Sequence, residues 1–264
     1  MSNIKVTIVQ TPIHWEDPAR NREMLEKKIT LLNEPGGIIV LPEMFSTGFT
    51  MNPSKLAEPH QGETFQWMNR LARENNSVIT GSIATQENGL FYNRLIWMQP
   101  DGTFHYYDKR HLFSHAGENR FYTAGNKRVI VEYQGWKILL MICYDLRFPV
   151  WIKNRYSQEN GFDYDCILCV ANWPELRSHP WRILLMARAI ENQCYVIGVN
   201  CIGRDGNDIL YSGDSALISP LGENFSNIMP NQEILETIPV TRCHLDDFRQ
   251  KFRVAPDWDQ FELI

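Results

Sequence analysis

Three residues of this sequence could do chemistry as a set: Glu43, Lys109 and Cys143. Each stands at the end of a strand-like run or in its flank. The run over 138–142 stops at Cys143, with Asp145 and Arg147 just beyond it and Pro149 placed early in the next helix. Residues 37–45 carry Glu43 directly after Pro42, and residues 106–113 set Lys109 among aromatic and apolar neighbours. A thiol at a strand-to-helix junction is held on rigid backbone. The N–H groups of the following helix start favour a thiolate and can hold a developing oxyanion. Read one at a time, these residues keep other readings open. Cys143 also fits a core cysteine packed as a small hydrophobe, Lys109 a solvated surface charge, and Glu43 half of an internal ion pair.

Taken together, they resemble the nitrilase (carbon–nitrogen hydrolase) superfamily. The resemblance rests on Pro42-Glu43, on Lys109 with His111 two residues later, and on Cys143-Tyr144-Asp145-Leu146-Arg147-Phe148-Pro149. Further similar blocks at 4–10, 171–174, 187–193 and 212–215 spread it over nearly the whole chain. Residues 45–51 after Glu43, and the Lys-Arg-His-Leu-Phe stretch from Lys109 to Phe113, are most similar to the omega-amidase branch, which deamidates 2-oxo acid amides. The fold implied is a four-layer α-β-β-α sandwich, α/β in class, as one domain over residues 1–264.

The resemblance also implies roles. Glu43 is the expected base for the Cys143 thiol, and Lys109 with the Tyr144 backbone N–H the expected oxyanion donors. A thioester on Cys143 is then hydrolysed by water that Glu43 activates. A second carboxylate is expected between lysine and cysteine, and Glu118, nine positions after Lys109, fits it as well as it fits a solvated loop glutamate. No metal or organic cofactor is expected. The carboxylate of a 2-oxo acid amide calls for a guanidinium clamp, for which Arg177 is the first choice, with Phe49 and Trp173 as pocket walls. Arg147 is expected to pair internally with Asp145 or Asp214.

The elements that must position these groups follow from periodicity. Met24, Leu25, Ile29 and Leu32 predict a helix over 18–33, stopped by Pro35-Gly36-Gly37, and Phe65, Met68, Leu71 and Ala72 predict another over about 63–75. Further helices are expected near 150–156 and over 180–192. Strands are expected at 4–10, 78–84, 89–98, 103–107, 129–133, up to 142, from 164 to 171, and at 195–200, 209–211, 215–219 and 234–240. Helices do not alternate regularly with strands, so a barrel of eight βα units fits poorly. The pattern alone reaches α/β in one domain.

Composition narrows the function classes. A formal charge of −5 argues against a general polyanion-binding surface, so nucleic acid is not an expected partner. No apolar run approaches the ~20 residues of a membrane span. The chain starts on a strand without a basic, signal-like lead, so a cytoplasmic location is expected. Of the six cysteines, Cys166 and Cys169 fall inside an apolar strand with no second pair to complete a zinc site, and Cys194, Cys201 and Cys243 are expected to pack. A homodimer is expected from the resemblance, with residues 261–264 docking on a partner or closing the chain's own core. Competing readings are an N-carbamoyl amide hydrolase, an aliphatic amidase or nitrilase, a Cys-His peptidase, and a catalytically silent, nitrilase-like interaction protein.

Overall fold

The computed structural model describes residues 3–32 and 36–263. Among them, the larger sheet has Ile4–Gln10 next to its edge strand Ile234–Val240, to which it runs antiparallel, and parallel to Gly37–Val40 on its other side. Ser77–Glu87 follows in parallel, then Leu90–Met98 and Phe104–Asp108, each antiparallel to the one before. The second sheet has three parallel strands, Trp136–Ile142, Cys166–Ala171 and Tyr195–Asn200. Antiparallel Ile130–Tyr133 and Ala216–Ile218 close its two edges.

Side-chain alternation along these strands builds the layers. Ile4, Val6, Ile8, Ile38, Val40, Val78 and Trp97 share one buried cluster with Ile138, Leu140, Leu168 and Ile197, so the two sheets face each other. Their neighbours Val9, Ile39 and Ile79 point the other way, into a cluster with Leu25 and Ile29 of helix Pro18–Ile29 and Phe65, Met68 and Leu71 of helix Glu63–Glu74. Helix Ser178–Asn192 covers the far face of the second sheet through Trp181, Leu185 and Ala189. The result is a single-domain α-β-β-α sandwich.

Several boundaries differ from expectation. The helix near 150–156 is only Pro149–Ile152, because the chain turns out at Lys153 and pairs Tyr156–Ser157 with Gly161–Phe162. The first helix ends at Ile29; Asn33 and Pro35, the expected end and stop of that helix, lie outside the described residues. Ile264 of the expected C-terminal docking segment lies outside them too, while Phe261 sits beneath the Arg155 guanidinium at 5.8 Å and Leu263 is exposed. All six cysteines are free thiols; Cys166, Cys169, Cys194 and Cys201 are buried, but Cys243 is exposed, on the solvent side of helix Arg242–Lys251.

Candidate active site

The carboxyl ends of parallel strands from both sheets meet at one edge of the sandwich, the place where such sheets leave a crevice. Glu43 follows strand Gly37–Val40, Lys109 follows Phe104–Asp108, Cys143 follows Trp136–Ile142, and Asn172 and Trp173 follow Cys166–Ala171. Cys143 opens a short 3-10 turn, Cys143–Arg147, with a φ of +44°, in the left-handed region that side-chain-bearing residues rarely adopt. Such strain persists only where surrounding contacts impose it.

Lys109, Glu43 and Glu118 are all completely buried. The Lys109 ammonium donates to Glu43 Oε1 at 2.8 Å and to both Glu118 oxygens, at 3.1 and 2.9 Å. Asn93 Nδ2 donates to Glu43 Oε1 at 2.7 Å and Glu118 Oε1 at 3.2 Å, so one amide ties the two carboxylates together. The Asn172 backbone N–H holds Glu43 Oε2 at 2.7 Å, and the Phe113 N–H holds Glu118 Oε2 at 2.6 Å. The surface-lysine and solvated-glutamate readings do not survive this burial.

Burial works against the Lys109 ammonium, but Glu118 and Glu43 outweigh it and hold the lysine charged well above its ordinary range. Burial pushes the Glu118 carboxyl up; Lys109 opposes that rise and Glu43 adds to it. Burial also pushes the Cys143 thiol well up, Glu43 adds to the effect, and Lys109 pulls it back. Burial thus opposes free ionisation of this sulfur, and the nearby Lys109 ammonium favours it.

Cys143 opens into a cleft lined by Phe49, Phe113, Tyr144, Arg147, Trp173 and Arg177, among others. Tyr144 is the second residue of the turn, where backbone N–H groups have no intrahelical acceptor. Phe49 lies 5.1 Å from the Lys109 ammonium and forms one wall; Trp173 forms another. Both guanidiniums lie over aromatic rings, Arg147 over Trp173 at 4.7 Å and Arg177 over Phe113 at 5.4 Å. The expected pairing of Arg147 with Asp145 or Asp214 is not what forms. Asp145 is taken by His111 and Tyr107 and Asp214 by Arg182, which leaves Arg147 facing the cleft. Among the described residues no cluster of His, Cys, Asp and Glu is placed to hold a metal ion.

A model of the family described as carbon-nitrogen hydrolase matches residues 5–244. The chain belongs to the carbon-nitrogen hydrolase family. It is 43% identical over 265 residues to the omega-amidase YafV of Escherichia coli strain K12, covering 100% of both chains. It is 30% identical over 261 residues to the 2-oxoglutaramate amidase of Bacillus subtilis, covering 93% of this chain and 97% of that one. A solved CN-hydrolase superfamily protein from Xanthomonas campestris, with an arsenic adduct in its active site, matches with a TM-score of 0.96 at 40% identity over 100% of both chains.

In this carbon-nitrogen hydrolase, Asn93 and Asn172 belong to the buried network, although sequence reasoning gave neither a role. Asn93 did carry a signal: with Arg94 it interrupts the middle of the otherwise apolar strand Leu90–Met98, and both are buried. A buried polar side chain needs partners, and here they are the two carboxylates of the site. Asn172 bonds to Glu43 twice, through its backbone N–H and through Nδ2 to the Glu43 carbonyl at 2.6 Å, and its Oδ1 accepts from Cys201 Sγ at 2.9 Å. Nothing local in the sequence announces that.

Proposed function

We propose that this chain is an omega-amidase, releasing ammonia from the terminal amide of 2-oxo dicarboxylic acid monoamides such as 2-oxoglutaramate and 2-oxosuccinamate. The observation that carries the reading is the charge of the cleft beside Cys143. Its charged lining groups are Arg147 and Arg177, neither in an ion pair among the described residues, and no carboxylate lines it. Two guanidiniums on aromatic platforms suit a carboxylate and an adjacent keto oxygen. They repel the α-ammonium of glutamine or asparagine, which finds no acid there. The relatives named omega-amidase and 2-oxoglutaramate amidase support the same substrate class.

In this reading Glu43 takes the Cys143 proton as sulfur attacks the amide carbon. Transfer in concert with attack suits a thiol whose free ionisation burial opposes. The oxyanion is held by Lys109 and the Tyr144 N–H. Protonated Glu43 returns the proton to departing ammonia, leaving a Cys143 thioester. Glu43 then removes a proton from water as it attacks, and 2-oxo acid and thiol are regenerated. Glu118 keeps Lys109 charged and fixed while Glu43 changes protonation.

The six free thiols suit a reducing compartment, and we place the enzyme in the cytoplasm. No helix among the described residues is long and apolar enough to cross a membrane. We read the chain as a homodimer, supported by exposed Ile183 and Ile190 on helix Ser178–Asn192 and exposed Leu221. An ammonia-release panel tests the function: 2-oxoglutaramate, 2-oxosuccinamate, glutamine, asparagine, N-carbamoyl amino acids, simple amides and nitriles. The 2-oxo amides should rank first. A preference for carbamoyl compounds, nitriles or amino acid amides overturns the substrate class, and silence on every compound favours the interaction protein.

A further inference from the structure

Asp145 lies two residues past Cys143, completely buried, and does not line the cleft. Its carboxylate accepts four hydrogen bonds. On Oδ2 they come from the Ile142 N–H at 3.1 Å and the Tyr107 hydroxyl at 2.8 Å. On Oδ1 they come from the His111 N–H at 2.9 Å and His111 Nδ1 at 2.7 Å. A carboxylate only accepts, so His111 Nδ1 carries the proton. The donors fall in two groups. Ile142 immediately precedes Cys143, while Tyr107 and His111 stand two residues to either side of Lys109. The Tyr107 hydroxyl accepts in turn from the Arg110 N–H at 3.2 Å, and the His111 ring stacks on Phe148 at 3.7 Å and 5°. One buried carboxylate therefore joins the two backbone segments that carry the lysine and the cysteine, at the point where Cys143 is held at positive φ.

We propose that Asp145 is a positioning residue: through Tyr107 and His111 it fixes the Lys109 ammonium relative to the Cys143 sulfur. The two groups arrive from different sheets, so their spacing is set by whatever ties those strand ends together. A misplacement of about 1 Å at a reacting group costs on the order of 10²-fold in rate. The proposal rests on reading Lys109 and Cys143 as the reacting pair, and a substrate-free readout keeps the two claims apart.

Asp145→Asn tests it. An amide offers acceptor capacity on one side only, so either the Ile142 or the His111 backbone N–H loses its partner. Turnover of 2-oxoglutaramate should fall on the order of 10²-fold in kcat while KM stays near wild type. With the amide absent, alkylation of Cys143 by iodoacetamide at fixed pH should slow, because the sulfur moves out of the Lys109 field. Should wild-type enzyme release no ammonia from 2-oxoglutaramate, the substrate reading fails and the alkylation rate alone decides this proposal. A lowered Tm with wild-type kcat and wild-type alkylation would show that Asp145 only stabilises the fold, and a raised KM at constant kcat would equally overturn the assignment. If Asp145→Asn does not fold, Tyr107→Phe decides: it removes one donor and no charge, and should lower kcat without raising KM, whereas wild-type kcat refutes the tie.

Discussion

Glu118 grips Lys109 with both carboxylate oxygens, at 3.1 and 2.9 Å, inside a fully buried site. In the proposed mechanism this pair sets the charge state of the oxyanion donor. Burial alone weakens the lysine's hold on its proton, and Glu118 with Glu43 reverses that. Glu118→Gln removes the larger of the two opposing influences, so the folded Lys109 pKa should drop. The alkaline limb of the kcat profile should then move to lower pH, with kcat at neutral pH reduced by about 10²-fold, as for loss of an oxyanion donor. A pH–rate series on both enzymes checks this; an unmoved alkaline limb would remove Glu118 from the mechanism.

Glu43 and Lys109 should fail in different ways. Lys109→Met keeps most of the volume but removes the ammonium, lowering kcat and kcat/KM together by about 10²–10³-fold. It also strands Glu43 and Glu118 side by side without a cation, so one of them should take up a proton on folding. Glu43→Gln lacks the base for both half-reactions, so neither acylation nor thioester hydrolysis should proceed at a useful rate. Single-turnover kinetics distinguish the two, and near-wild-type turnover in either variant contradicts the assignment.

In the proposed reading the two arginines set substrate choice. Arg147→Ala and Arg177→Ala should each cost about 10²-fold in kcat/KM on 2-oxoglutaramate, the order for breaking a charge-assisted hydrogen bond worth roughly 3 kcal/mol. Turnover of a small uncharged amide should barely change. Equal losses on both substrates would mean that the arginine supports the fold instead.

Much of this site was legible in the sequence through its resemblance to the nitrilase superfamily, whose motif residues stand at strand ends or in their flanks; read singly, those residues kept other readings open. Glu43, Lys109 and Cys143 follow strand ends, and Phe49, Trp173 and Arg177 line the cleft beside them. Strands such as Ile4–Gln10, Tyr195–Asn200 and Ile234–Val240 have the expected limits, each being a run rich in β-branched residues. Long-range polar pairing was not legible. Arg147 lies close in sequence to Asp145, yet Asp145 is bonded to Tyr107 and His111, which lie far away in the chain and reach it only because the two sheets face each other. Asn93 reaching Glu43 is a pairing of the same kind.

Stability should fall on the alkaline side. Burial holds the thiols of Cys143, Cys166, Cys169, Cys194 and Cys201 above their ordinary value of 9.0. These groups stay protonated in the folded chain while the unfolded chain ionises. Below the unfolded value both states hold their protons, and as pH rises past it the unfolded state is increasingly favoured. Thermal melts from pH 7 upward should show a Tm that declines once pH exceeds that ordinary thiol value, and a flat Tm through that range would contradict the burial of these thiols.

The covalent intermediate is the most direct test of the whole account. Wild-type enzyme mixed with 2-oxoglutaramate, quenched in acid within the first turnover, should show by intact-mass spectrometry a fraction carrying the substrate minus ammonia. Peptide mapping should locate that acyl group on Cys143, and Cys143→Ala should carry none while remaining folded. Ammonia release without any adduct on Cys143, or an acyl group mapped to Cys169 or Cys201 instead, would contradict the thioester mechanism.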